Sequence, residues 1–219
     1  MLDLEKAQRM SLTTQVEVSL KSALIVGALK PGARLITKEI ADQLGTSITP
    51  VREALLRLVS AGALHATPAQ AFLVPEVSQE RYNEINTIRK KLEGMAASVA
   101  CAAMTPERLN TLRILAAGFE EARARGNVEQ ALQANRVFRF RVYEYAEMPT
   151  LISLIEQLWV RIGPCFNYLY PVSKDLNRGE LAYDALLFAL EKGDCIASQQ
   201  AVLNSIDEGA KVLLKQYSN

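Results

Sequence analysis

The feature that most constrains this chain is a stretch spanning residues 35–66, LITKEIADQLGTSITPVREALLRLVSAGALHA, which predicts two short helices joined by a tight turn. Apolar residues, including Ile40, Ala41 and Leu44 on the first helix, recur there at three- and four-residue spacing, so each helix has one buried face. We expect Thr37 to cap the first helix and Gly45 to end it. We expect Thr49 to cap the second helix and Gly62 to close it. A plain helical hairpin has the same apolar pattern.

The side chains exposed around this turn are of the kind that a DNA-recognition helix presents. They are small donors and one guanidinium, namely Thr46, Ser47, Thr49 and Arg52. Helix N-termini attract phosphates, and residues there reach base edges in the major groove. An arginine that donates two hydrogen bonds to guanine contributes about 1–3 kcal/mol of discrimination. The alternative for Arg52 is a solvated charge or an ion pair with Glu53 or Glu39.

A wing is predicted after the second helix. Residues 64–66 and 72–74 alternate like two short paired strands around the turn formed by residues 67–70. Upstream, a further helix is predicted over about residues 13–28, and Arg34 follows it on a short extended piece. Together these elements predict a winged helix-turn-helix domain over residues 1–76.

The remainder of the chain predicts helices alone. From Glu80 onward the pattern is amphipathic with helical period, and it breaks at Thr105-Pro106, Gly126-Asn127, Met148-Pro149, Gly163-Pro164 to Pro171, and Gly193-Asp194. These breaks separate roughly six helices. We therefore predict a mainly α fold, with an antiparallel helical bundle over residues 79–219 as an effector-binding and dimerisation domain.

Composition narrows the class of protein. The chain has 219 residues, 49% of them apolar, which suits two small domains with their own cores. The amino terminus MLDLEKAQR has no apolar signal core, and the longest small-apolar run, 95–104, is too short to span a bilayer, so we expect a cytoplasmic protein without a membrane partner. Cys101, Cys165 and Cys195 lack CxxC spacing, which predicts reduced core residues.

Charge and histidine content bear on function. A net charge of +1 means that affinity for DNA has to come from a local cluster of cations. The single histidine, His65, excludes a multi-histidine metal site and lies on a predicted strand of the wing. The sequence has no Ser-His or Cys-His pair and no phosphate loop, so we do not expect an enzyme.

The segment GALKPGARLITKEIADQLGTSITPVREALLRLVSAGAL resembles the winged helix-turn-helix of the GntR family of bacterial transcription regulators. The usual family pattern is G-x-L-x-P-G-x-x-L followed by L-A-x-x-L-G-V-S-R-T-P-V-R-E-A-L-x-x-L. The matching residues are Gly27, Leu29, Pro31, Gly32, Leu35, Ala41, Leu44, Gly45, Ser47, Thr49, Pro50, Val51, Arg52, Glu53, Ala54, Leu55 and Leu58. The helical region is similar to the effector (FCD) domain of the FadR subfamily. More narrowly, SITPVREALLRLVS and PAQAF resemble one group within that subfamily.

The resemblance implies a homodimeric repressor that binds a palindromic operator in double-stranded DNA. By the family pattern, Arg34 reaches the backbone or a base. Two departures concern specificity. Ile48 stands where most members carry arginine, and an isoleucine there can press on a thymine methyl. At the wing tip, Ala69-Gln70 replaces a common Arg-Gly, and Gln70 can still hydrogen-bond a base edge or phosphate.

A polar pair lies on the apolar seam of the helix after Gly126. Asn135 and Arg139 are four residues apart, near Leu132, Phe138 and Val142. A buried guanidinium needs an anion or a carboxylate partner, so Arg139 is a candidate ligand-binding residue. The alternative is a structural ion pair with one of the bundle's own acids.

The resemblance also implies what this site holds. FadR-type effector domains commonly bind a divalent metal through one aspartate and three histidines. By register, Asn135, Arg139, Tyr183 and Ser205 occupy those four places here, and an amide, a guanidinium, a phenol and a hydroxyl do not bind Zn²⁺ or Ni²⁺. Arg89 matches a family arginine that often faces the same cavity. We therefore expect no metal or other cofactor, and a small anionic effector such as a carboxylate, a phosphate or an acyl thioester.

A different function also fits these departures. An interaction or sensor protein that has weakened or lost specific DNA binding would tolerate Ile48 and the altered wing tip. Specific binding to a DNA fragment distinguishes the two readings.

Overall fold

The computed structural model describes residues 10–67, 71–169 and 183–215. In these ranges the helices are α1 Leu12–Ile25, α2 Thr37–Leu44, α3 Ile48–Ser60, α4 Gln79–Ala102, α5 Pro106–Ala124, α6 Val128–Glu144, α7 Pro149–Ile162, α8 Asp184–Lys192 and α9 Cys195–Leu214. A 3-10 helix, Gly163–Leu169, follows α7, and the strands are β1 Arg34–Leu35, β2 His65–Ala66 and β3 Phe72–Leu73. The fold is mainly α, as predicted.

The first three helices form the predicted helix-turn-helix with an extra helix before it. Leu24, Leu55 and Leu58 are fully buried between them, and Gly45 ends α2 in the left-handed conformation at φ 61. The predicted caps were wrong. Ile36 and Ser47 are the N-cap residues of α2 and α3, and neither side chain makes a capping hydrogen bond.

A small antiparallel sheet completes this domain in the order β1-β3-β2. Leu73 of β3 pairs with Arg34 on one side and with His65 on the other. The two wing strands therefore form as predicted, although each is one residue shorter. The sheet also fixes Arg34, because β1 is held against the wing and not left as a free extended piece.

The predicted breaks at residues 105–106, 126–127, 148–149 and 193–194 are followed directly by α5, α6, α7 and α9, whereas α8 begins only at Asp184, well after the break that starts at Gly163. Side-chain caps explain three of these starts. Thr105, Asn127 and Asp194 each accept a hydrogen bond from the backbone N–H three residues ahead. Gly94 allows α4 and α9 to pack closely, since a Cβ there would lie 2.6 Å from Leu203 Cδ1. Lys90 Nζ pairs with Asp207 at 2.8 Å across the same two helices.

The bundle contacts the winged domain through α7 and the 3-10 helix. A Cβ at Gly163 would lie 2.7 Å from Ile25 Cα and would also meet Leu24 O. Arg161 Nε donates to Ala61 O at 3.0 Å, and Asn167 Nδ2 donates to Gly27 O. Backbone atoms of the winged domain are therefore held directly by the bundle.

Two burial predictions need correction. Leu44, assigned to the inner face of α2, is 45% exposed. Cys101 and Cys165 are buried, but Cys195 is only partly buried and is not a core residue. It is the first residue of α9, where the helix begins at the protein surface.

We predict that Gly163→Ala lowers the free energy of unfolding by about 1–3 kcal/mol, because the added methyl group meets rigid backbone atoms of α1. Gly118→Ala is the matched control. Gly118 is exposed within α5 and nothing lies within 4 Å of a Cβ there, so alanine stabilises by about 0.5–1 kcal/mol. Urea unfolding measures both variants. Equal effects of the two substitutions would contradict close packing at the domain junction.

Candidate nucleic-acid interface and ligand pocket

The start of α3 presents an exposed polar and apolar surface. Ser47, Thr49 and Arg52 are exposed, and Ile48 is 51% exposed. Because no side chain caps α3, its first N–H groups are not used by a capping residue. Anions bind readily at such a helix end.

A concave surface of 290 Å³ brings three cations together beside this helix start. Its lining residues come from β1, from the stretch that enters α2, from the start of α3 and from the wing, namely Arg34, Ile36, Thr37, Lys38, Ile48, Arg52 and Ala71. Arg34 and Arg52 were predicted independently, and the fold places them on one surface. We call this surface the basic concavity.

Lys38 was missed by the sequence analysis. It is the second residue of α2, so its positive charge opposes the helix dipole in the first turn. A lysine in that unfavourable position was the available signal.

Two of the predicted DNA-binding residues, Thr46 and Gln70, are not found on this exposed surface of the described structure. The Thr46 hydroxyl is buried and has no hydrogen-bond partner among the described residues, so its assignment to the exposed set was wrong. Its backbone N–H donates to Ala41 O at 3.0 Å and so helps to close the turn. Gln70 lies outside the described residues.

In the bundle, the four residues predicted by register do meet. Arg139 Nε donates to Asn135 Oδ1 at 3.2 Å, and Arg139 Nη2 donates to Ser205 Oγ on α9. Tyr183 donates its phenol proton to the same Asn135 oxygen at 2.6 Å. Its ring stacks on Phe138 with centroids 3.8 Å apart.

The cavity at this meeting point is only 10 Å³ in volume, room for about one water molecule. It is lined by Phe138, Arg139, Val142, Tyr143, Tyr183, Leu186, Ala201, Val202 and Ser205. A larger ligand can enter only if these side chains move and exchange their mutual hydrogen bonds for bonds to the ligand.

A buried carboxylate that the sequence analysis missed lies next to the cavity. Glu93 on α4 is fully buried, and it accepts hydrogen bonds from Arg89 Nε at 2.6 Å, Tyr143 OH at 2.5 Å and Trp159 Nε1 at 2.8 Å. Arg139 Nη1 lies 3.9 Å from the same carboxylate. The available signal was an acidic residue among apolar and small residues, four positions after Arg89.

Arg89 does not line the cavity. Its guanidinium lies over the rings of Trp159 and Phe166, 5.0 and 5.7 Å from their centroids, and it donates to Asn86 Oδ1 at 2.9 Å. Glu93 stands between it and Arg139. The prediction that both arginines face one cavity is therefore corrected to two arginines on either side of one carboxylate.

The resulting set has an excess of positive charge. We call it the Glu93 cluster, and its members are Arg89, Glu93, Asn135, Arg139, Tyr143, Trp159, Tyr183 and Ser205. Burial and the neighbouring Glu93 carboxylate raise the pKa of the Tyr143 phenol, so it stays neutral and donates. Burial opposes the charge of Arg139, but the nearby Glu93 carboxylate helps to hold the pKa of its guanidinium above the usual value. Two cations and one anion leave the cluster with a net charge of about +1.

This donor set does not fit a divalent metal. The guanidinium of Arg139 takes one of the four positions and donates to the residues at two others, Asn135 and Ser205. Metal ligands are lone-pair donors, and a fixed cation among them repels a metal ion. In the described ranges there is also no group of three or more His, Cys, Asp or Glu side chains that could hold a metal ion.

Two family models match the chain in the same order as the two structural parts. Residues 12–74 match bacterial regulatory proteins of the gntR family, and residues 84–208 match the FCD domain. The chain belongs to the GntR family and carries an FCD domain. It is a transcriptional regulator of that class.

Individual relatives agree with this assignment. The chain is 47% identical to the HTH-type transcriptional regulator McbR of Escherichia coli strain K12, over 97% of both chains. A relative from Paenarthrobacter nicotinovorans, named as the probable D-xylose utilization operon transcriptional repressor, is 26% identical over 92% of this chain and 88% of its own. The narrower likeness of two segments to one group is confirmed by the match to McbR.

Solved structures support the fold. The structure of E. coli McbR/YncC superposes with a TM-score of 0.90 and covers 95% of this chain and all of its own. A GntR-type protein from Rhodococcus sp. RHA1, 22% identical, has the same fold with a TM-score of 0.72 over 94% of this chain and 99% of its own. None of the helices in the described ranges has the length and apolar content required to cross a membrane.

We predict that Glu93→Gln lowers the free energy of unfolding by about 3–5 kcal/mol, because it leaves the buried Arg89 without its carboxylate. The amide NH₂ of glutamine would also face donors from Tyr143 or Trp159. Chemical unfolding, with near-ultraviolet circular dichroism as the probe, measures the change.

The control is Glu121→Gln. Glu121 pairs with Arg125 at the same spacing and the same distance of 2.6 Å, but both side chains are about two-thirds exposed. Loss of this exposed ion pair should lower the free energy of unfolding by less than about 1 kcal/mol. If Glu93→Gln lowers the free energy of unfolding by no more than this control does, the buried carboxylate does not organise the bundle.

Proposed function

We propose that the chain is a homodimeric repressor that binds a palindromic operator through the basic concavity and the start of α3. The observation that carries this proposal is the convergence of Arg34 and Arg52 beside the uncapped α3 N-terminus. One recognition helix covers few base pairs, so two copies related by a two-fold axis are needed for specificity. In this proposal the protein acts in the cytoplasm and catalyses no reaction, and its two functional units are residues 1–76 and 79–219.

Each residue has a distinct role in this proposal. Arg52 reads a base edge, Arg34 and Lys38 bind phosphates or a neighbouring base, and Ile48 presses on a thymine methyl. Ser47 and Thr49 donate to phosphates, and Gln70 supplements them from the wing. Thr46 contributes by closing the turn and not by touching DNA.

We expect Arg34→Ala and Arg52→Ala each to abolish the sequence-specific shift of operator DNA while circular dichroism stays unchanged. Each change removes a guanidinium whose contact with a base contributes about 1–3 kcal/mol of discrimination between sequences. Arg57→Ala is the matched control, because Arg57 lies on the same helix, does not line the basic concavity and pairs with Glu17 of α1 at 3.1 Å. Fluorescence anisotropy with operator fragments selected from sheared genomic DNA gives the affinities.

Two results would refute the interface. Specific binding retained by both Arg34→Ala and Arg52→Ala would do so, and so would an equal loss in Arg57→Ala. If wild type binds every fragment equally, the alternative of an interaction protein without specific DNA binding is correct. The specific observation that favours that alternative is Ile48, which leaves an apolar side chain 51% exposed at the helix start.

We further propose that the bundle senses a small anionic effector at Arg139, without a metal. The Glu93 cluster carries a net charge of about +1 in a buried site, so an anion entering beside Arg139 would neutralise it. Asn135, Tyr183 and Ser205 offer hydrogen bonds to the remainder of the ligand. The ligand would have to displace the contacts that these residues now make with each other.

Occupancy at Arg139 has a contiguous physical route to the winged domain. Glu93 contacts Trp159, whose ring meets Phe166 of the 3-10 helix edge-on with centroids 5.2 Å apart. The next residue, Asn167, donates to Gly27 O after α1. A ligand that repositions Glu93 therefore acts on an element that holds the DNA-binding domain.

We predict that Arg139→Met gives a folded protein that binds operator and does not respond to the effector. Methionine keeps much of the volume and removes the charge, so the coupling expected of such a switch, about 1–3 kcal/mol, is lost. A thermal-shift screen of carboxylates, sugar acids and acyl thioesters identifies the ligand with wild type. Wild type dialysed against a chelator controls for metal and should give the same shift.

The thermal shifts of wild type and Arg139→Met together test whether the effector binds at Arg139. If the best hit stabilises wild type and Arg139→Met equally, Arg139 is a structural ion-pair residue and the ligand binds elsewhere. If the chelator removes the shift in wild type, the metal-free site is wrong.

A further inference from the structure

The antiparallel packing of α4 against α9 places two cysteines opposite each other. Lys90 pairs with Asp207, and Gly94 faces Leu203, so positions later in α4 face positions earlier in α9. Continued along the helices, this register brings Cys101, near the end of α4, to Cys195, the first residue of α9. The Cys101 thiol does interact with the side chain of Cys195, and also with Ser198.

The two thiols differ in accessibility. Cys101 is 4% exposed, and burial raises the pKa of its thiol. Cys195 is only partly buried, so dissolved oxidants reach it first. Both residues lie at helix ends, where the backbone adjusts more easily to the Cα separation that a disulfide needs.

We propose that Cys101 and Cys195 form a reversible intramolecular disulfide, a modification site that responds to hydroperoxides. Cys195 sulfur attacks the O–O bond of the peroxide, which yields a sulfenic acid and releases water or an alcohol. Cys101 sulfur then attacks the sulfenic sulfur, loses its proton and expels water, and the S–S bond forms. A dithiol reductant reverses the reaction and becomes a disulfide itself.

The third cysteine, Cys165, lies too far from Cys101 to form a disulfide with it. Cys165 lies in the 3-10 helix and is fully buried near Tyr82, at the opposite end of α4 from Cys101. Cys101 lies nineteen positions after Tyr82, a separation of about 28 Å along the helix. Cys165 is therefore an internal reference thiol that stays reduced.

The bond would tie together the two helices that carry Glu93 and Ser205. It would also close a chain loop that includes α5 to α8, which restricts the unfolded state. The oxidised protein should therefore unfold at a higher temperature than the reduced protein, and dithiothreitol should restore the original value.

The test treats the full-length reduced protein with stoichiometric hydrogen peroxide and follows it by intact mass and peptide mapping. We expect a mass loss of about 2 Da, one cross-linked peptide containing Cys101 and Cys195, and one remaining thiol. Cys165→Ser should behave as wild type in the mass change. Cys195→Ser removes the accessible partner without altering the core, and should show neither the mass loss nor the rise in unfolding temperature.

Three outcomes would overturn the proposal. They are oxidation of Cys195 to sulfinic or sulfonic acid with no cross-link, a disulfide between two chains, or the same mass loss in Cys195→Ser. Cys101→Ala supplies a second check if it folds, because it should convert the disulfide product into a stable sulfenic acid at Cys195 that dimedone traps. Failure of dimedone to label this folded variant also counts against the proposal.

Discussion

The buried carboxylate of Glu93 is the interaction on which the bundle depends. It is fully buried on α4, and it accepts hydrogen bonds from α4, α6 and α7 through Arg89, Tyr143 and Trp159. A buried charge is tolerated only when its hydrogen bonds are satisfied. These three helices must therefore keep their relative positions for Glu93 to keep its hydrogen bonds. A small displacement of one helix would break a buried hydrogen bond and cost much free energy.

The same cluster joins the ligand pocket to the DNA-binding domain. Arg139 lies on one side of Glu93, and Trp159 leads on the other side to the 3-10 helix, which touches the backbone of α1. Close backbone contacts deform little, so movement of the 3-10 helix shifts α1 as a body. In the winged domain, α1 packs against α3, whose start forms part of the basic concavity. This arrangement supplies a physical basis for regulation of DNA binding by a ligand.

Much of the fold could be predicted because periodicity and capping are local signals. Three of the bundle helices, α5, α6 and α9, begin next to Thr105, Asn127 and Asp194, and the wing forms where alternation and a turn predicted it. The caps of α2 and α3 could not be predicted, because the N-cap residues Ile36 and Ser47 make no side-chain capping bond that a sequence pattern could reveal.

The candidate sites were predicted in part. The family register, carried over residue by residue, predicted the four residues that meet in the bundle, namely Asn135, Arg139, Tyr183 and Ser205. Glu93 was missed because, although Arg89 lies on the same helix, its other two donors, Tyr143 and Trp159, come from helices distant in sequence. Lys38 was missed because its place beside Arg34 and Arg52 is a result of the tertiary packing of α2 and α3 around β1.

The most direct test of this account uses Trp159, the single tryptophan of the chain. Its indole N–H donates to Glu93 in the absence of ligand, so nuclear magnetic resonance should show one indole signal whose proton exchanges slowly with solvent. The signal should move when the effector binds to wild type, and it should not move when the same compound is added to Arg139→Met. An indole proton that exchanges rapidly, or a signal that does not respond to a bound effector, would contradict the central role of the Glu93 cluster.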